Sequence, residues 1–158
     1  MKLLAILGLL MVPLAARAGV PGGNVYLGVG AAGQLGNAAG GGPSLDLAIE
    51  LPHLVLGATL GAPLTAHSSS QQFIALARVA YVLSDANHAP YVGLGFGTAH
   101  VGGVTLGDGG PGRDFGVLAP EIGMLLFRQN RFGRVNAYAG ALVGEAHPSF
   151  VAGVRLFL

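Results

Sequence analysis

Residues 149–158 read Ser-Phe-Val-Ala-Gly-Val-Arg-Leu-Phe-Leu, and their pattern is the strongest indication of the fold. Apolar side chains occupy every second position from Phe150 to Leu158, which is typical of a β-strand with one apolar face. The one charge in the stretch, Arg155, falls on the opposite face. An apolar strand at the end of a chain needs a partner, because an unpaired strand edge promotes aggregation. We expect it to pair with the first strand and so to close a β-barrel.

Residues 1–18 have the pattern of a cleaved signal peptide. Lys2 precedes an apolar run over residues 3–14, and Ala16-Arg17-Ala18 suits cleavage before Gly19. The alternative is a membrane anchor, but a helix over this run spans only about 18 Å of a hydrocarbon core about 30 Å thick. We therefore expect a signal peptide at 1–18 and a single barrel domain at 19–158.

The composition favours a lipid environment. Charged residues make up 9% of the chain and the mean hydropathy is +0.62, whereas soluble domains carry about 25% charge. The formal charge of +1 includes Lys2 and Arg17, so the mature side chains balance near −1 and we expect no nucleic-acid partner. The chain has no cysteine, which excludes disulfides, thiolate chemistry and a lipid-modified cysteine.

Eight segments are predicted to be strands, and beyond the signal peptide no stretch of about 20 residues is apolar enough for a spanning helix. The connections after the first, third and fifth strands are long (33–43, 62–71 and 99–114), while most of the others are short. Long outer loops and short periplasmic turns alternate in this way in transmembrane barrels. We predict an all-β fold, an eight-stranded antiparallel up-and-down transmembrane β-barrel, with strands at 24–32, 44–51, 54–61, 72–83, 91–98, 115–127, 134–143 and 149–158.

Parity assigns the two faces of the wall. A charge on the lipid face near the midplane costs about 2 to 4 kcal/mol for Arg, so charged strand residues should point inward. In the second, sixth and eighth strands this places an apolar row outward, at every second residue of 45–51, 118–126 and 150–158. The fourth strand is less regular, because placing Arg78 inside also places Ile74 and Leu76 there. Phe73 and Tyr81 are the clearest outward aromatic residues.

Glycines recur with period two at Gly28 and Gly30 and again at Gly93, Gly95 and Gly97. We interpret them as part of the inner face, where small residues leave room for long side chains crossing a narrow barrel. The alternative is that the glycines only reflect loops and flexibility.

Five charged residues within strands form the candidate site. Four of them are expected near one level and Glu50 lower down, so that all five could meet in the lower half of the lumen: Asp46, Glu50, Arg78, Glu121 and Arg155. Buried charges must pair or be hydrated, so the first interpretation is a salt-bridge network that fills the barrel. The second is a gate or narrow polar conduit. The sequence disfavours a role for these carboxylates as a catalytic acid and base, because nothing in it supplies a substrate cleft.

Two further motifs do not predict a cofactor or a metal. Gly28 to Gly33 match G-x-G-x-x-G, but the glycine-rich segment that follows cannot form the helix that a dinucleotide site requires. The five histidines, at 53, 67, 88, 100 and 147, lack the spacing of metal ligands. We expect no cofactor and no metal.

Glu145, His147 and Ser149 are a weak candidate for a hydrolytic set at the outer rim. The His-x-Ser spacing resembles that of outer-membrane lipid A deacylases in two residues only. Phe150 stands where that motif has an Asn, and no acidic residue follows.

Together, these features resemble the small OmpA/OmpX/OmpW-like outer-membrane β-barrels over the whole mature chain. Their last strand carries an assembly signal that Gly153, Leu156 and Leu158 match, although that family usually ends in Phe and this chain ends in Leu158. The resemblance implies that the protein resides in outer-membrane lipid and is assembled by the barrel assembly machinery. The functions that it implies range from adhesion to the passage of small apolar molecules. We expect a monomer.

The leading hypothesis is a non-enzymatic outer-membrane barrel with a structural or surface-interaction role or narrow passage of small molecules. One alternative is a lipid A-modifying hydrolase. The other is a soluble periplasmic barrel that binds an apolar ligand, which requires apolar residues inside and polar residues outside.

Overall fold

The last strand pairs with the first, from Leu35 opposite Phe150 to Gly28 opposite Phe157, and this pairing closes a barrel. The computed structural model describes residues 23–35, 40–61, 64–65, 70–103, 113–129, 133–144 and 149–158. The predicted signal peptide lies outside these residues. No helix in the described part of the chain is long and apolar enough to cross a membrane.

Eight long antiparallel strands form the wall, which confirms the predicted fold class. They are β1 (Asn24–Leu35), β2 (Gly40–Glu50), β3 (Leu54–Gly61), β5 (Ser70–Val82), β6 (Ala89–Gly103), β7 (Arg113–Leu126), β8 (Arg134–Gly144) and β9 (Ser149–Phe157). A two-residue strand, β4 (Leu64–Thr65), pairs with the start of β2. Each long strand pairs with its neighbours in chain order around the barrel. We call the end at which β2 leads to β3, β5 to β6 and β7 to β8 the lower end.

The wall has the predicted parity, apolar outside and polar inside. Asp46, Glu121 and Arg155 are buried on the inner face of β2, β7 and β9, while the apolar residues between them face outward. Ile74 and Arg78 of β5 are both buried in the lumen, as expected for that irregular strand. Phe73 and Tyr81 lie exposed on the outer wall. The soluble ligand-binding alternative requires the opposite parity, and the described wall does not have it.

Several strands are longer than predicted. β1 and β2 stay paired up to Gln34 opposite Gly40, so most of the expected long loop at 33–43 is strand. β6 and β7 likewise stay paired through part of the expected loop at 99–114. Glycine weakens an isolated strand, but ladder hydrogen bonds from two neighbours outweigh that local preference. The predicted contrast between long and short connections is therefore smaller than the sequence suggests.

We expect a charge on the outer wall to lower the free energy of unfolding, and to lower it more the closer the charge lies to the bilayer midplane. Val29 and Leu35 both face outward on β1, 54% and 69% exposed, but Val29 lies midway along the strand and Leu35 at its upper end. Val29→Arg should lower the free energy of unfolding in lipid vesicles by about 2 to 4 kcal/mol, and Leu35→Arg by about 1 kcal/mol or less. Denaturant titration measures both. Equal costs would contradict a membrane-spanning wall.

Candidate functional site

Four of the five predicted residues meet in the middle of the lumen. Asp46 extends from β2, Arg78 from β5, Glu121 from β7 and Arg155 from β9. Each is buried, with Asp46 only 1% and Arg155 2% exposed. We call these four side chains the central cluster.

Asp46 is held by hydroxyl groups from two strands. Ser44 Oγ donates to Oδ2 at 2.7 Å, and Thr59 Oγ1 donates to Oδ1 at 2.6 Å. Thr59 lies directly opposite Asp46 in the β2–β3 ladder, so the register of these strands determines this contact. Nε of Arg155 lies 3.1 Å from Oδ1, and Nη1 of Arg78 lies 3.9 Å from the same atom. The carboxylate therefore has both hydroxyl and arginine neighbours.

Glu121 joins the two arginines from the other side of the lumen. Nη2 of Arg78 donates to Oε1, and Nη2 of Arg155 donates to Oε2 at 3.1 Å. The hydroxyl of Tyr91 lies 3.1 Å from Oε1 and 2.9 Å from the side-chain amide of Asn136. These contacts join β5, β6, β7, β8 and β9 across the barrel.

The guanidinium of Arg155 also lies over the Tyr138 ring, 3.5 Å from its centroid. Nη1 of Arg155 has no hydrogen-bond partner among the described residues, and the aromatic face is an electrostatic substitute for one.

Two arginines and two carboxylates leave the central cluster formally neutral. A single unpaired charge in such a site costs several kcal/mol, whereas a neutral group with hydrogen bonds is tolerated. The cluster can therefore stay buried and ionised.

Glu50 does not join the central cluster, which corrects the prediction that all five would meet. It lies at the lower end of β2 and accepts hydrogen bonds from Nε of Arg128 and Nη1 of Arg134. The guanidinium of Arg134 lies 4.3 Å from the centre of the Tyr26 ring. We call Glu50, Arg128 and Arg134 the lower cluster. Glu50 is four residues beyond Asp46 along an extended strand, so it lies about 13 Å from Asp46, too far to join the central cluster.

Arg128 connects three turns at the lower end. Its Nη1 donates to the Ser84 carbonyl at 2.9 Å, its Nη2 donates to the Pro52 carbonyl, and it lies 3.5 Å from Asp85. The preceding residue, Phe127, has a left-handed φ of 58°, which is uncommon for a bulky residue. This conformation ends β7 and begins the turn that carries Arg128.

Sequence reasoning missed some of the site residues. Tyr91, Asn136, Tyr138 and Arg134 share the inward parity of their strands, so extending the parity argument to every polar residue would have found them. Arg128 lies in a turn, where parity does not apply.

Each member of the central cluster lies directly opposite a glycine on a neighbouring strand. The pairs are Asp46 with Gly28, Arg155 with Gly30, Arg78 with Gly57 and Gly95, and Glu121 with Gly93 and Gly140. A Cβ on Gly30 would lie 2.4 Å from the Ser44 hydroxyl and 3.1 Å from Asp46 Oδ2. The period-two glycines thus line the lumen where long side chains cross it.

The central cluster separates two small cavities. The upper one, about 70 Å³, is lined mainly by apolar residues and glycines above the cluster, including Ile74, Leu76 and Leu142. The lower one, about 20 Å³, lies between the two clusters beside Tyr26, Tyr91 and Asn136. The central cluster and the lower cluster place two layers of ion pairs across the described lumen.

The other sequence motifs are the glycine-rich match, the histidines and the hydrolytic set. Gly28 to Gly33 lie within β1 and make no turn before a helix. The described residues contain no group of three or more residues able to hold a metal ion. Glu145 and His147 lie outside the described residues, and Ser149 is buried in the lumen opposite Leu142.

In the predicted assembly signal, Gly153 faces the lumen beside the Tyr138 ring, while Leu156 and Leu158 lie on the outer wall. Phe157 faces the lumen against Gly28, and the Leu158 N–H donates to the Leu27 carbonyl at 2.9 Å.

Three solved structures have a similar fold. Neisserial surface protein A has 12% identity and a TM-score of 0.74, covering 87% of this chain and 98% of that chain. The N-terminal β-barrel domain of Pseudomonas aeruginosa OprF has 14% identity and a TM-score of 0.63, covering 85% and 97%. Ail, the attachment invasion locus protein of Yersinia pestis, has 12% identity and a TM-score of 0.57, covering 86% and 99%. No protein-family model and no curated protein matches the sequence.

The fold is that of the small eight-stranded outer-membrane β-barrels. A closed barrel with an apolar outer wall is one of the two structures that can span a hydrocarbon layer. The exposed apolar side chains of this wall are those that a membrane-spanning barrel requires.

We expect that no residue larger than glycine fits at position 123 without loss of stability. A Cβ there would lie 2.5 Å from the Tyr91 ring and 2.6 Å from the Ala137 carbonyl, whereas a Cβ on Gly116 of the same strand would meet nothing within 4 Å. Gly123→Val should lower the free energy of unfolding by about 1 to 3 kcal/mol. Gly116→Val is the matched control and should be neutral or slightly stabilising. Similar losses for both variants would contradict the size argument.

Neutralising one member of the central cluster should lower the free energy of unfolding substantially. Glu121→Gln leaves two buried arginines facing one carboxylate and should lower the free energy of unfolding by about 3 to 5 kcal/mol. The control is Asp114→Asn, which removes an exposed carboxylate 2.6 Å from His100 and should cost about 1 kcal/mol or less. Denaturant titration in vesicles compares them. If the two variants lose equal stability, the cluster is not a buried ionic network.

Proposed function

We propose that the protein is a non-enzymatic outer-membrane barrel with a closed lumen, and that its role is structural or lies in contacts at the membrane surface. The central cluster carries this proposal, because its four charges occupy the lumen and neutralise one another. A conducting pore needs polar groups that water and ions can reach, whereas these groups are buried.

The lower cluster supports the same proposal independently. Arg128 and Arg134 both bind Glu50, and Arg128 also binds carbonyls of two turns. These contacts form a second layer of side chains across the lower end of the lumen. A solute that passed the central cluster would meet this second layer. Narrow passage therefore requires two separate rearrangements, which makes it the weaker proposal.

The similar structures favour a surface role. One is called a surface protein and another an attachment invasion locus protein, solved with the heparin analogue sucrose octasulfate. In the sequence, Asp108 precedes β7, Arg113 and Asp114 begin it, and Glu145 follows β8, so three acidic residues accompany one arginine next to the upper ends of these strands. A polyanion would be repelled by this balance.

The hydrolase alternative loses support. It needs Ser149 at the outer rim with access to lipid, but the Ser149 side chain is buried on the lumen side of β9. A nucleophile must reach the scissile ester, and the wall separates this hydroxyl from the surrounding lipid.

We further propose that the barrel is a monomer in outer-membrane lipid, assembled by the barrel assembly machinery through Gly153, Leu156 and Leu158. Among the strands that the structure describes, the β1–β9 pairing leaves no long unpaired edge that would recruit a second chain. Leu156 and Leu158 lie on the outer wall, where a partner could contact them before closure.

The closed lumen predicts an electrically silent protein. Purified full-length barrel in a planar lipid bilayer should show no current steps. The double variant Asp46→Ala with Arg155→Ala keeps the cluster neutral but removes two long side chains, and it should pass more ions than the wild type. Discrete steps from the wild-type protein would refute the closed lumen and favour the narrow conduit.

A further inference from the structure

Two guanidinium nitrogens at the lower cavity have no hydrogen-bond partner. They are Nε of Arg78 and Nε of Arg134, and neither finds an acceptor among the described residues. Both side chains line the lower cavity, and neither lines the upper one. The Arg78 side chain is 8% exposed and that of Arg134 is 11% exposed. A buried donor without an acceptor is destabilising, most of all on a charged group, and an acceptor inside the cavity removes that cost.

The ion pairs of these two arginines use other nitrogens. Arg78 donates through Nη2 to Glu121, and its Nη1 lies 3.9 Å from Asp46. Arg134 donates through Nη1 to Glu50. These contacts hold both guanidinium groups beside the cavity, while the N–H of each Nε stays available to a further acceptor.

The lower cluster carries an excess of positive charge. One carboxylate, Glu50, accepts from both Arg128 and Arg134, so one negative charge faces two positive ones. All three side chains are nearly buried, which limits screening by water. The central cluster on the other side of the cavity is neutral and does not offset this charge. Because an uncompensated buried charge is costly, the lower cavity favours an anion over a neutral molecule.

The remaining carboxylate at the lower end is too exposed to balance that excess. Asp85 lies 3.5 Å from Arg128, but the Asp85 side chain is 73% exposed. An ion pair with so exposed a partner contributes little. In the sequence, residues 51–53, 83–88 and 127–133 between these strands contain no other acidic residue. The excess charge of the lower cluster is therefore left for a buried anion.

The lower cavity has the size of one small ion. Its volume is about 20 Å³, enough for one water molecule or one monatomic anion. Glu50 is the only carboxylate among the residues that line it, and both Glu50 oxygens already accept from arginines. An ion in this cavity therefore meets donors with no acceptor of their own.

We propose that the lower cavity is a binding site for one monatomic anion, with chloride as the ligand. The N–H groups at Nε of Arg78 and Arg134 donate to the anion, whose charge neutralises the lower cluster. Folding of the barrel around the anion fills the site, so the anion does not have to cross the lumen. The site is separate from the proposed surface role and does not depend on it.

Chloride should stabilise the wild-type barrel, because only the folded chain brings the two arginines together. The full chain is refolded in detergent micelles and unfolded with urea, since guanidinium chloride would itself supply the anion. Sodium chloride is compared with sodium gluconate at equal ionic strength, because gluconate is too large for the cavity. Above the dissociation constant, each tenfold rise in chloride should raise the folded-to-unfolded ratio about tenfold. Equal unfolding midpoints in the two salts would overturn the proposal.

Filling the cavity should abolish this response. Ala48 and Ala119 are buried alanines of the inner face, and each lies opposite a glycine, Gly57 and Gly95 respectively. Ala48 lines the lower cavity and Ala119 the upper one. Ala48→Val should lose the dependence on chloride, whereas the matched control Ala119→Val should keep it, and both variants retain every charge. A full chloride response in Ala48→Val, or its loss in both variants, contradicts the site.

Bromide locates the ion directly in the wild-type protein. Crystals grown with sodium bromide should give an anomalous peak, at the bromine absorption edge, between the side chains of Arg78 and Arg134. Peaks at the outer surface alone would identify adventitious ions only and reject the site. Each variant is first checked for a folded barrel by the change of gel mobility on heating. Val55→Ile, which also narrows the lower cavity, replaces Ala48→Val if the latter does not fold.

Discussion

Four ionised side chains share the centre of a narrow lumen, and the structure depends on their neutralising one another there. Arg155 contacts both carboxylates, and Glu121 contacts both arginines, so no charge faces the lumen without a counter-ion. The cost of removing such groups from water is large, and only close pairing with added hydrogen bonds offsets it. The hydroxyl groups of Ser44, Thr59 and Tyr91 supply those additional bonds.

This arrangement also requires space, which the glycines provide. An eight-stranded barrel has an interior just wide enough for side chains, so a long residue on one strand needs a small one beside it. The ladder places a glycine directly opposite every member of the central cluster. Glycine is unfavourable within a strand when considered locally, and here the packing of the lumen compensates for that cost.

The two ionic clusters carry the function that we propose. The central cluster and the lower cluster place two layers of paired charges across the lumen, one below the other. In the proposed closed barrel these layers oppose passage along the barrel axis, and contacts with other molecules are made at the outer surface.

The strands, their parity and the inward position of the charges could be predicted from the sequence, because the period of two in a strand is a local property. The apolar alternation of residues 149–158 indicated the closing strand, and the glycines of β1 and β6 indicated the inner face of the wall. Which charges meet could not be predicted in this way, because cross-lumen distances depend on the tilt and register of all eight strands. For that reason Glu50 pairs with Arg128 and Arg134, and not with the central cluster. The ends of the strands likewise depended on pairing with neighbours, which extended β1, β2 and β6 through glycine-rich segments that sequence alone predicts as loops.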